Sequence, residues 1–175
     1  SKITAMDKIA TNGNVHIVDE VIPVPTLATF VESHPDFEAM REALSLLELG
    51  ESTVNEDLAN AVEYTFFVPQ NVAFENFYKE VELDNLEDLG PNILKYFVES
   101  HAIPNDIVDA QEIEAAIDNS TINTMNIALI AGKENDVLTL TDTQNRVANM
   151  VGVDVRAANG ILHIIDSVIL GLGEP

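Results

Sequence analysis

Residues 154–169, DVRAANGILHIIDSVI, decide how this chain is interpreted, because residues 7–22, DKIATNGNVHIVDEVI, repeat much of that stretch. The two stretches lie 147 residues apart, the spacing from Asn12 to Asn159, and nine positions are identical between them. In each copy an Asn-Gly pair, typical of a tight turn with positive φ, stands before an apolar segment of β-forming residues. Each copy therefore predicts a β-hairpin.

The repeated hairpin predicts how the chain is divided into domains. An element that closes the sequence and also stands 147 residues earlier is typical of a tandem array with a unit of about that length. We expect residues 1–23 to be the C-terminal remnant of one unit and residues 24–175 to be the complete next unit. Pro23 and Pro25 stiffen the short connection between the two.

Apolar periodicity within the second unit predicts helices in its first two-thirds and strands in its last third. We expect helices after Thr26, from Pro35 to near Gly50, after Pro69 with Asn71 as its cap, over 84–99 with a break at Gly90, and over 110–117. The expected strands are 64–69, 121–125, 127–131, 137–141, 147–151, 153–157 and 161–169. This arrangement indicates an α+β domain with a mostly antiparallel sheet.

Three segments resemble motifs of the fasciclin-type adhesion domain. Residues 65–74, TFFVPQNVAF, resemble the first motif of the family, and residues 159–170, NGILHIIDSVIL, resemble its closing motif. Residues 94–104 are similar to the central Tyr-His segment through His101, although Ser100 stands where the family usually has Tyr. The residues that carry the first and closing resemblances are Thr65, Phe67, Pro69, Asn71, Phe74, Asn159, Gly160, His163 and Asp166.

The resemblance covers residues 24–175 in order, and the closing motif again in residues 12–23. It implies a wedge-shaped β-sandwich, mostly antiparallel, with helices from the N-terminal two-thirds packed around it. It also implies an extracellular or cell-surface protein that carries several such units. The expected function is cell adhesion or matrix binding through surface loops, with integrin-like receptors or other fasciclin-type domains as partners and without catalysis.

Residues 104–108, PNDIV, resemble the short Asp-Ile sequences to which the integrin contacts of the family are attributed. Asn105, Asp106 and Ile107 are therefore the candidate partner-binding residues. An exposed Asp carboxylate is a suitable ligand for the divalent cation of such a receptor, since hard cations prefer oxygen ligands. The alternative is that Asn105 or Asp106 only begins the helix that follows.

The charge of the chain excludes some partners and leaves a second function open. Thirty acidic and eight basic residues give a net charge of −22, which repels nucleic acid and anionic membrane surfaces. The acidic clusters lack the ligand spacing of a calcium loop, so weak association with divalent cations is the most we expect. The alternative function is an acidic structural spacer or matrix component. Salt should relieve the repulsion between its carboxylates.

Catalytic signatures are missing from the sequence. The chain has no Cys, no nucleophile elbow, no zinc-binding H-E-x-x-H and no Gly-rich phosphate loop, so we expect no enzymatic activity, cofactor or metal site. His101 and His163 lie in apolar segments, where hydrogen bonding of the imidazole to the backbone is the usual role. Asp166 is expected to bind strand-end amides. Asn119 begins the single N-glycosylation sequon, which matters if the chain is secreted by a eukaryote. No apolar run is long enough for membrane insertion.

Overall fold

A two-stranded and a seven-stranded sheet account for the strands of the described residues. The computed structural model describes residues 2–47, 54–60 and 63–171. The strands are β1 (Ile3–Ala10), β2 (Gly13–Val18), β3 (Tyr64–Pro69), β4 (Ala102–Pro104), β5 (Thr121–Asn123), β6 (Ala128–Glu134), β7 (Val137–Thr141), β8 (Val147–Ala157) and β9 (Gly160–Ile165). The α-helices are α1 (Leu27–Ser33), α2 (Glu38–Leu46), α3 (Val54–Ala59), α4 (Asn71–Val81), α5 (Gly90–Glu99) and α6 (Ala110–Ala116).

The larger sheet has the strand order β4-β3-β9-β8-β7-β6-β5 and is antiparallel except between β3 and β9. The predicted α+β class and mostly antiparallel sheet are therefore confirmed. In the parallel pair, Tyr64 lies opposite Gly160 and Pro69 lies opposite Ile165. The segments that resemble the first and closing family motifs are thus neighbouring strands at the centre of the fold.

Strands β3 and β9 are buried on both faces, which gives the domain its sandwich character. Every residue of β3 is buried. Phe66 packs into one core with the helices, whereas Phe67 packs into a second core with α6 and the β5–β7 strands. In β9, Leu162 belongs to the first core and Ile165 to the second. Two-sided burial explains why both strands are almost continuously apolar.

Asn71 is not the cap of its own helix, contrary to the prediction. The cap position of α4 is Gln70, and its side chain makes no capping hydrogen bond. Asn71 Oδ1 instead accepts a hydrogen bond from Ala39 N at 3.0 Å, and Asn71 Nδ2 donates to Pro35 O at 2.9 Å. Because the residue before α2 has no capping side chain, Asn71 satisfies a first-turn amide of α2 from the neighbouring helix.

Other predicted boundaries also differ from the structure. Segments 147–151 and 153–157 are one strand, β8, whose register shifts twice against β9. The strand expected over 161–169 ends at Ile165. The short elements α3 and β4 were not predicted, and the expected helix end near Gly50 lies outside the described residues. Thr26 does cap α1, accepting a hydrogen bond from Thr29 N at 3.3 Å.

The N-terminal hairpin β1–β2 has the same strand register as β8–β9 at the offset of 147 residues. Lys8 pairs with Val15 as Val155 pairs with Leu162, and the remaining paired positions and both register shifts also correspond. Each turn consists of two residues, and neither Asn-Gly pair has positive φ, so that part of the prediction is wrong. The left-handed residue of each hairpin is instead Asp7, with φ 55°, or Asp154, with φ 58°.

The same side chains hold both hairpins together. Asp7 N donates to His16 Nδ1 at 3.3 Å, and Asp154 N donates to His163 Nδ1 at 3.4 Å. At the open end of the first hairpin, Lys2 N donates to Asp19 Oδ1 at 2.7 Å. The corresponding bond of the second hairpin, from Asn149 N to Asp166 Oδ1, is 2.8 Å long. The two hairpins therefore share internal hydrogen bonds as well as register.

Candidate partner-binding loop

The three candidate partner-binding residues lie in one loop between β4 and α6. We call residues 105–109 the β4–α6 loop. Asn105 and Asp106 are exposed, and Ile107 is half-buried. Asn105 has φ 59°, a left-handed conformation that Asn adopts more readily than most residues. The chain therefore turns outward directly after β4 and presents two polar residues to solvent.

A buried hydroxyl on β3 holds both sides of the loop. Thr65 Oγ1 donates to Asp106 O and accepts from Val108 N, and both bonds are 2.9 Å long. Thr65 itself is fully buried. Because one hydroxyl bonds the residues before and after Ile107, the backbone of the loop is fixed to the buried strand β3.

His163 on β9 makes a second attachment. Its Nδ1 accepts from Asp154 N, so Nε2 carries the proton and donates to Val108 O at 2.9 Å. The ring stacks on Phe67 with 5.5 Å between centroids. Burial lowers the pKa of His163, against the opposing effects of the Val108 bond and the Asp154 and Asp109 carboxylates. The imidazole is therefore neutral and acts as a fixed hydrogen-bond bridge.

The helix after the loop, α6, is capped by Asp109, and this decides the alternative that Asn105 or Asp106 begins the helix. Asp109 Oδ1 accepts from Gln111 N and Glu112 N at 3.0 Å each, and Glu112 Oε2 accepts from Asp109 N at 3.1 Å. This reciprocal pair is a capping box. Asp106 is therefore not the helix cap, and its carboxylate has no hydrogen-bond partner within the described part of the chain.

Asp106 and Ile107 line two different depressions. Asp106 borders a groove of about 410 Å³ between α6 and the edge strand β5, together with Glu112 and Asn123. Ile107 borders a smaller depression of about 210 Å³ beside Arg156. A partner that contacts both residues must therefore reach across the β4–α6 loop. Substitutions at the two positions report on different sides of it.

His101 has a structural position away from the surface. It is fully buried; its Nδ1 donates to Phe97 O at 2.8 Å, and its Nε2 accepts from Ile169 N at 3.1 Å. Burial lowers its pKa to about 4, and only the bond to Phe97 opposes this. Ser100, where the family usually has Tyr, is also fully buried and donates to Tyr96 O. Neither side chain is available to a partner.

Asn159 and Gly160 join the hairpin turn to the helices. Asn159 Oδ1 accepts from Leu27 N at 2.9 Å, and Asn159 Nδ2 donates to Leu58 O at 2.9 Å. A Cβ on Gly160 would lie 2.0 Å from Tyr64 O, so no larger residue fits there. Both residues therefore pack the fold and do not form part of a binding surface.

The remaining predicted sites lie apart from the loop. Asn119 is exposed after α6, where its Nδ2 donates to Ala115 O and Ile117 O. Asp166 accepts strand-end hydrogen bonds from Asn149. Phe74 packs in the helical core. Among the residues described, no three His, Asp or Glu side chains are grouped to hold a metal ion. Within the same ranges, no helix has the length and apolarity needed to span a membrane.

Sequence reasoning missed the attachment of the loop to the sheet. Thr65 and His163 were recognised as motif residues, but their common target, Val108, lies 43 and 55 residues away from them. Asp154, which accepts from Ala110 N at 2.9 Å, was also missed. The available signal for Asp154 was its repetition as Asp7 at the start of the duplicated stretch.

Comparisons with known proteins agree with this architecture. The chain matches the family model of the fasciclin domain over residues 35–171. It is 29% identical over 172 residues to transforming growth factor-beta-induced protein ig-h3 of Sus scrofa, covering 97% of this chain and 23% of that protein. It is 26% identical to periostin of Homo sapiens, covering 97% of this chain and 19% of that protein. The chain thus spans less than a quarter of either relative.

A solved structure is also similar. It is a FAS1 domain pair from the insect cell adhesion molecule fasciclin I, matched with a TM-score of 0.71 and 21% identity. The match covers 97% of this chain and 59% of the other. At this identity the likeness establishes the fold.

Proposed function

The chain belongs to the fasciclin domain family, and from this premise we propose that it is an extracellular or cell-surface adhesion module. It binds protein or matrix partners through the β4–α6 loop and catalyses no reaction. The observation that carries the proposal is the exposed Asp106 carboxylate on a loop whose backbone is held by buried groups. The similarity to an insect cell adhesion molecule supports the same class of function.

The geometry of the loop suits recognition of a cation-bearing receptor. Asp106 has no competing partner among the described residues, so its carboxylate can complete the oxygen shell of a divalent cation held by an integrin-like receptor. Because Thr65 and His163 already order the backbone of the loop, binding costs little additional conformational entropy. Another fasciclin-type domain is the second partner class we propose.

We also propose that residues 1–23 are the C-terminal remnant of a preceding unit and residues 24–175 a complete unit. The support is the common register and common hydrogen bonds of the two hairpins. The family model begins at residue 35, after the N-terminal hairpin. The adhesion module then belongs to a tandem protein, as the sequence repeat suggested.

A second candidate function rests on the charge. With a net charge of −22, the chain suits an acidic spacer or matrix component that repels its neighbours and associates weakly with divalent cations. Calorimetric titration with Ca²⁺ separates this function from a discrete site, since diffuse association gives weak heats without a defined stoichiometry. In a eukaryotic secretion host we further propose a glycan on Asn119, detected as a mass increase that Asn119→Gln removes.

Cell attachment to the immobilised chain tests the adhesion proposal. We expect attachment to fall after Asp106→Ala and after Ile107→Ala, and to fall further in the double variant. Asp84→Ala removes the same charge from an exposed position outside the loop and should leave attachment unchanged. Chelation of divalent cations should abolish attachment to the unaltered chain. Attachment that the double variant retains in full would remove the loop from the function.

A further inference from the structure

We propose that the groove between β5 and α6 binds an extended basic peptide segment of a protein partner, added as an antiparallel strand to the free edge of β5. The segment places an apolar residue opposite Ile122 and a Lys or Arg two residues further on, near Asp106 and Glu112. The site goes beyond the receptor contact proposed above, because it recognises the main chain of the partner. Asp106 is the residue that the two proposals share.

The first support is the shape of the seven-stranded sheet, whose two edges come together at one end. Strands β4 and β5 are those edges. Just after β5, Met125 N donates to Ala102 O on β4 at 2.9 Å, so the edges meet there. Away from this contact lies the groove of about 410 Å³, lined by Ile103 of β4 and Ile122 of β5. The groove is therefore a gap beside two strand edges, and its volume falls within the range of ligand pockets.

The second support is the set of main-chain groups along β5. Thr124 N donates to Ile127 O at 2.8 Å, so these residues form the hydrogen-bonded pair next to the ladder of β5 with β6. Because such pairs alternate in an antiparallel ladder, Ile122 bonds to β6, and the main-chain groups of Thr121 and Asn123 face away from it. Strand β5 has no second strand partner within the described ranges. Its free edge therefore offers donors and acceptors at two positions to an added strand.

The third support is the lining of the groove, which combines carboxylates with small apolar side chains. Asp106 and Glu112 contribute the carboxylates, and no Lys or Arg is among the described residues that line the groove. The Asp106 carboxylate has no hydrogen-bond partner in the described ranges, and the capping box uses one oxygen of Glu112. Ala115 and Ala116 leave room beside the buried Ile122. The groove therefore suits a segment with one cationic and one compact apolar side chain.

The position of the carboxylates determines the order of residues in the bound segment. Ala102, at the start of β4, meets Met125 after the end of β5, and Asp106 follows the end of β4. The carboxylates therefore lie towards the start of β5. In a segment antiparallel to β5, the residue opposite Ser120 comes two positions after the residue opposite Ile122, and both point to the same face. An apolar residue followed two positions later by a basic residue is the pattern that fits.

Charge favours a separate basic partner over a second copy of this chain as the occupant. Two copies with a net charge of −22 each repel one another, most strongly at low salt. The same field attracts a basic segment and speeds its association. We therefore assign the free edge of β5 to a partner with Lys or Arg in an extended segment.

A peptide titration followed by NMR tests the proposal. The probe is the peptide acetyl-STVTRTS-amide, whose Val is placed opposite Ile122 and whose Arg is placed opposite Ser120. At a peptide concentration of ten times Kd, amide exchange of Thr121 and Asn123 should slow about 10-fold, since the site is then free for about a tenth of the time. Exchange at Ile122, whose amide already bonds to β6, should not change.

Variants of the peptide make the test specific without altering the protein. N-methylation of the Thr that follows Val removes a donor facing β5 and should abolish the protection of Thr121 and Asn123. N-methylation of Val, whose amide faces away from β5, is the matched control and should leave the protection unchanged. Replacement of the Arg of the peptide by Glu should weaken binding by on the order of 10-fold, because like charges then meet in the groove.

Variants of the groove test the carboxylates. Asp106→Asn together with Glu112→Gln should weaken binding of the Arg peptide by on the order of 10-fold, and Gln at position 112 keeps the capping box of α6. Asp84→Asn together with Glu87→Gln removes the same charge from exposed positions outside the groove and should leave binding unchanged.

Each remaining outcome overturns the proposal. Exchange that the peptide does not slow, equal effects of the two N-methylations, or equal binding of the Arg and Glu peptides would show that β5 accepts no basic strand. Slower exchange of Thr121 and Asn123 that appears without peptide as the protein concentration rises would assign the edge to a second copy. The adhesion proposal is tested separately by Ile107→Ala in cell attachment, because Ile107 borders the other depression and not this groove.

Discussion

Acidification should destabilise the domain through His101. This imidazole is fully buried and neutral, with one ring nitrogen donating to Phe97 O and the other accepting from Ile169 N. A proton on Nε2 would break the bond to Ile169 and place a charge in an apolar interior. Burial therefore lowers the pKa of His101 from its ordinary 6.5 to about 4.

The sign and size of the effect follow from this pKa. Below about pH 6.5 the unfolded chain binds a proton at His101, while the folded domain binds it only near pH 4. The stabilisation of the folded state by the neutral His101 imidazole is therefore fully present above pH 6.5 and is lost as the pH falls towards 4. At about 1.4 kcal/mol per pH unit, the loss amounts to about 3 kcal/mol of unfolding free energy. His163, whose pKa is also lowered by burial, acts in the same direction.

Urea unfolding at several pH values between 7.5 and 4 measures this contribution. The free energy of the unaltered chain should fall towards that of His101→Gln, so that the difference between them shrinks by about 3 kcal/mol. Titration of the acidic surface affects both proteins equally and cancels in the difference. His34→Asn, which removes an exposed imidazole whose Nδ1 accepts a hydrogen bond from Asp36 N, controls for the loss of a histidine from the surface. A constant difference, or an imidazole of His101 that titrates near pH 6.5 by NMR, would refute the reasoning.

Three further changes give distinct outcomes. Gly160→Ala should lower the free energy of unfolding in urea by about 3 kcal/mol, because the added Cβ meets Tyr64 O, while Gly13→Ala should leave it unchanged. Equal effects of the two substitutions would contradict the packing described for Gly160. Thr65→Val should lower the free energy of unfolding by about 1–3 kcal/mol and speed amide exchange in the β4–α6 loop, whereas Thr65→Ser should keep the stability and the slow exchange of the unaltered chain. Equal amide protection of the loop in Thr65→Val would contradict the role of the hydroxyl. Raising NaCl from 0.01 to 1 M should raise the melting temperature by roughly 5 °C at a net charge of −22, and a temperature indifferent to salt would contradict charge repulsion.

Features determined by neighbouring residues could be predicted from the sequence. The cap at Thr26, strand β7 and both hairpins depend on residues close in the chain, and the structure has them where the pattern indicated. The candidate loop was located correctly before a helix, although strand β4 on its other side was not predicted and the helix is capped by Asp109. The conformational preferences of neighbouring residues are sufficient to predict these features, because each one depends on residues within a single turn, strand or hairpin.

Features that join distant segments could not be predicted in the same way. The parallel pairing of β3 with β9 joins Tyr64 to Gly160, and no local pattern states which strands become neighbours. Asn71 offered the typical signal of a cap, yet its side chain binds a segment more than 30 residues earlier. The hydrogen bonds that hold the β4–α6 loop also join distant segments, because Thr65 and His163 lie 43 and 55 residues from Val108 in the sequence.

Comparison of the two hairpins distinguishes repeated residues that form hydrogen bonds within the hairpin from repeated residues whose counterparts contact another part of the chain. Asp7, His16 and Asp19 make the same hydrogen bonds as their counterparts although the N-terminal hairpin is exposed, so these residues encode the hairpin locally. Asn12 and Gly13 are repeated as well, but only their counterparts in β8–β9 contact another part of the chain. Asn12 and Gly13 are the residues expected if the hairpin is, as proposed above, the remnant of a preceding unit, since Asn159 and Gly160 contact α1 and β3 in the complete unit.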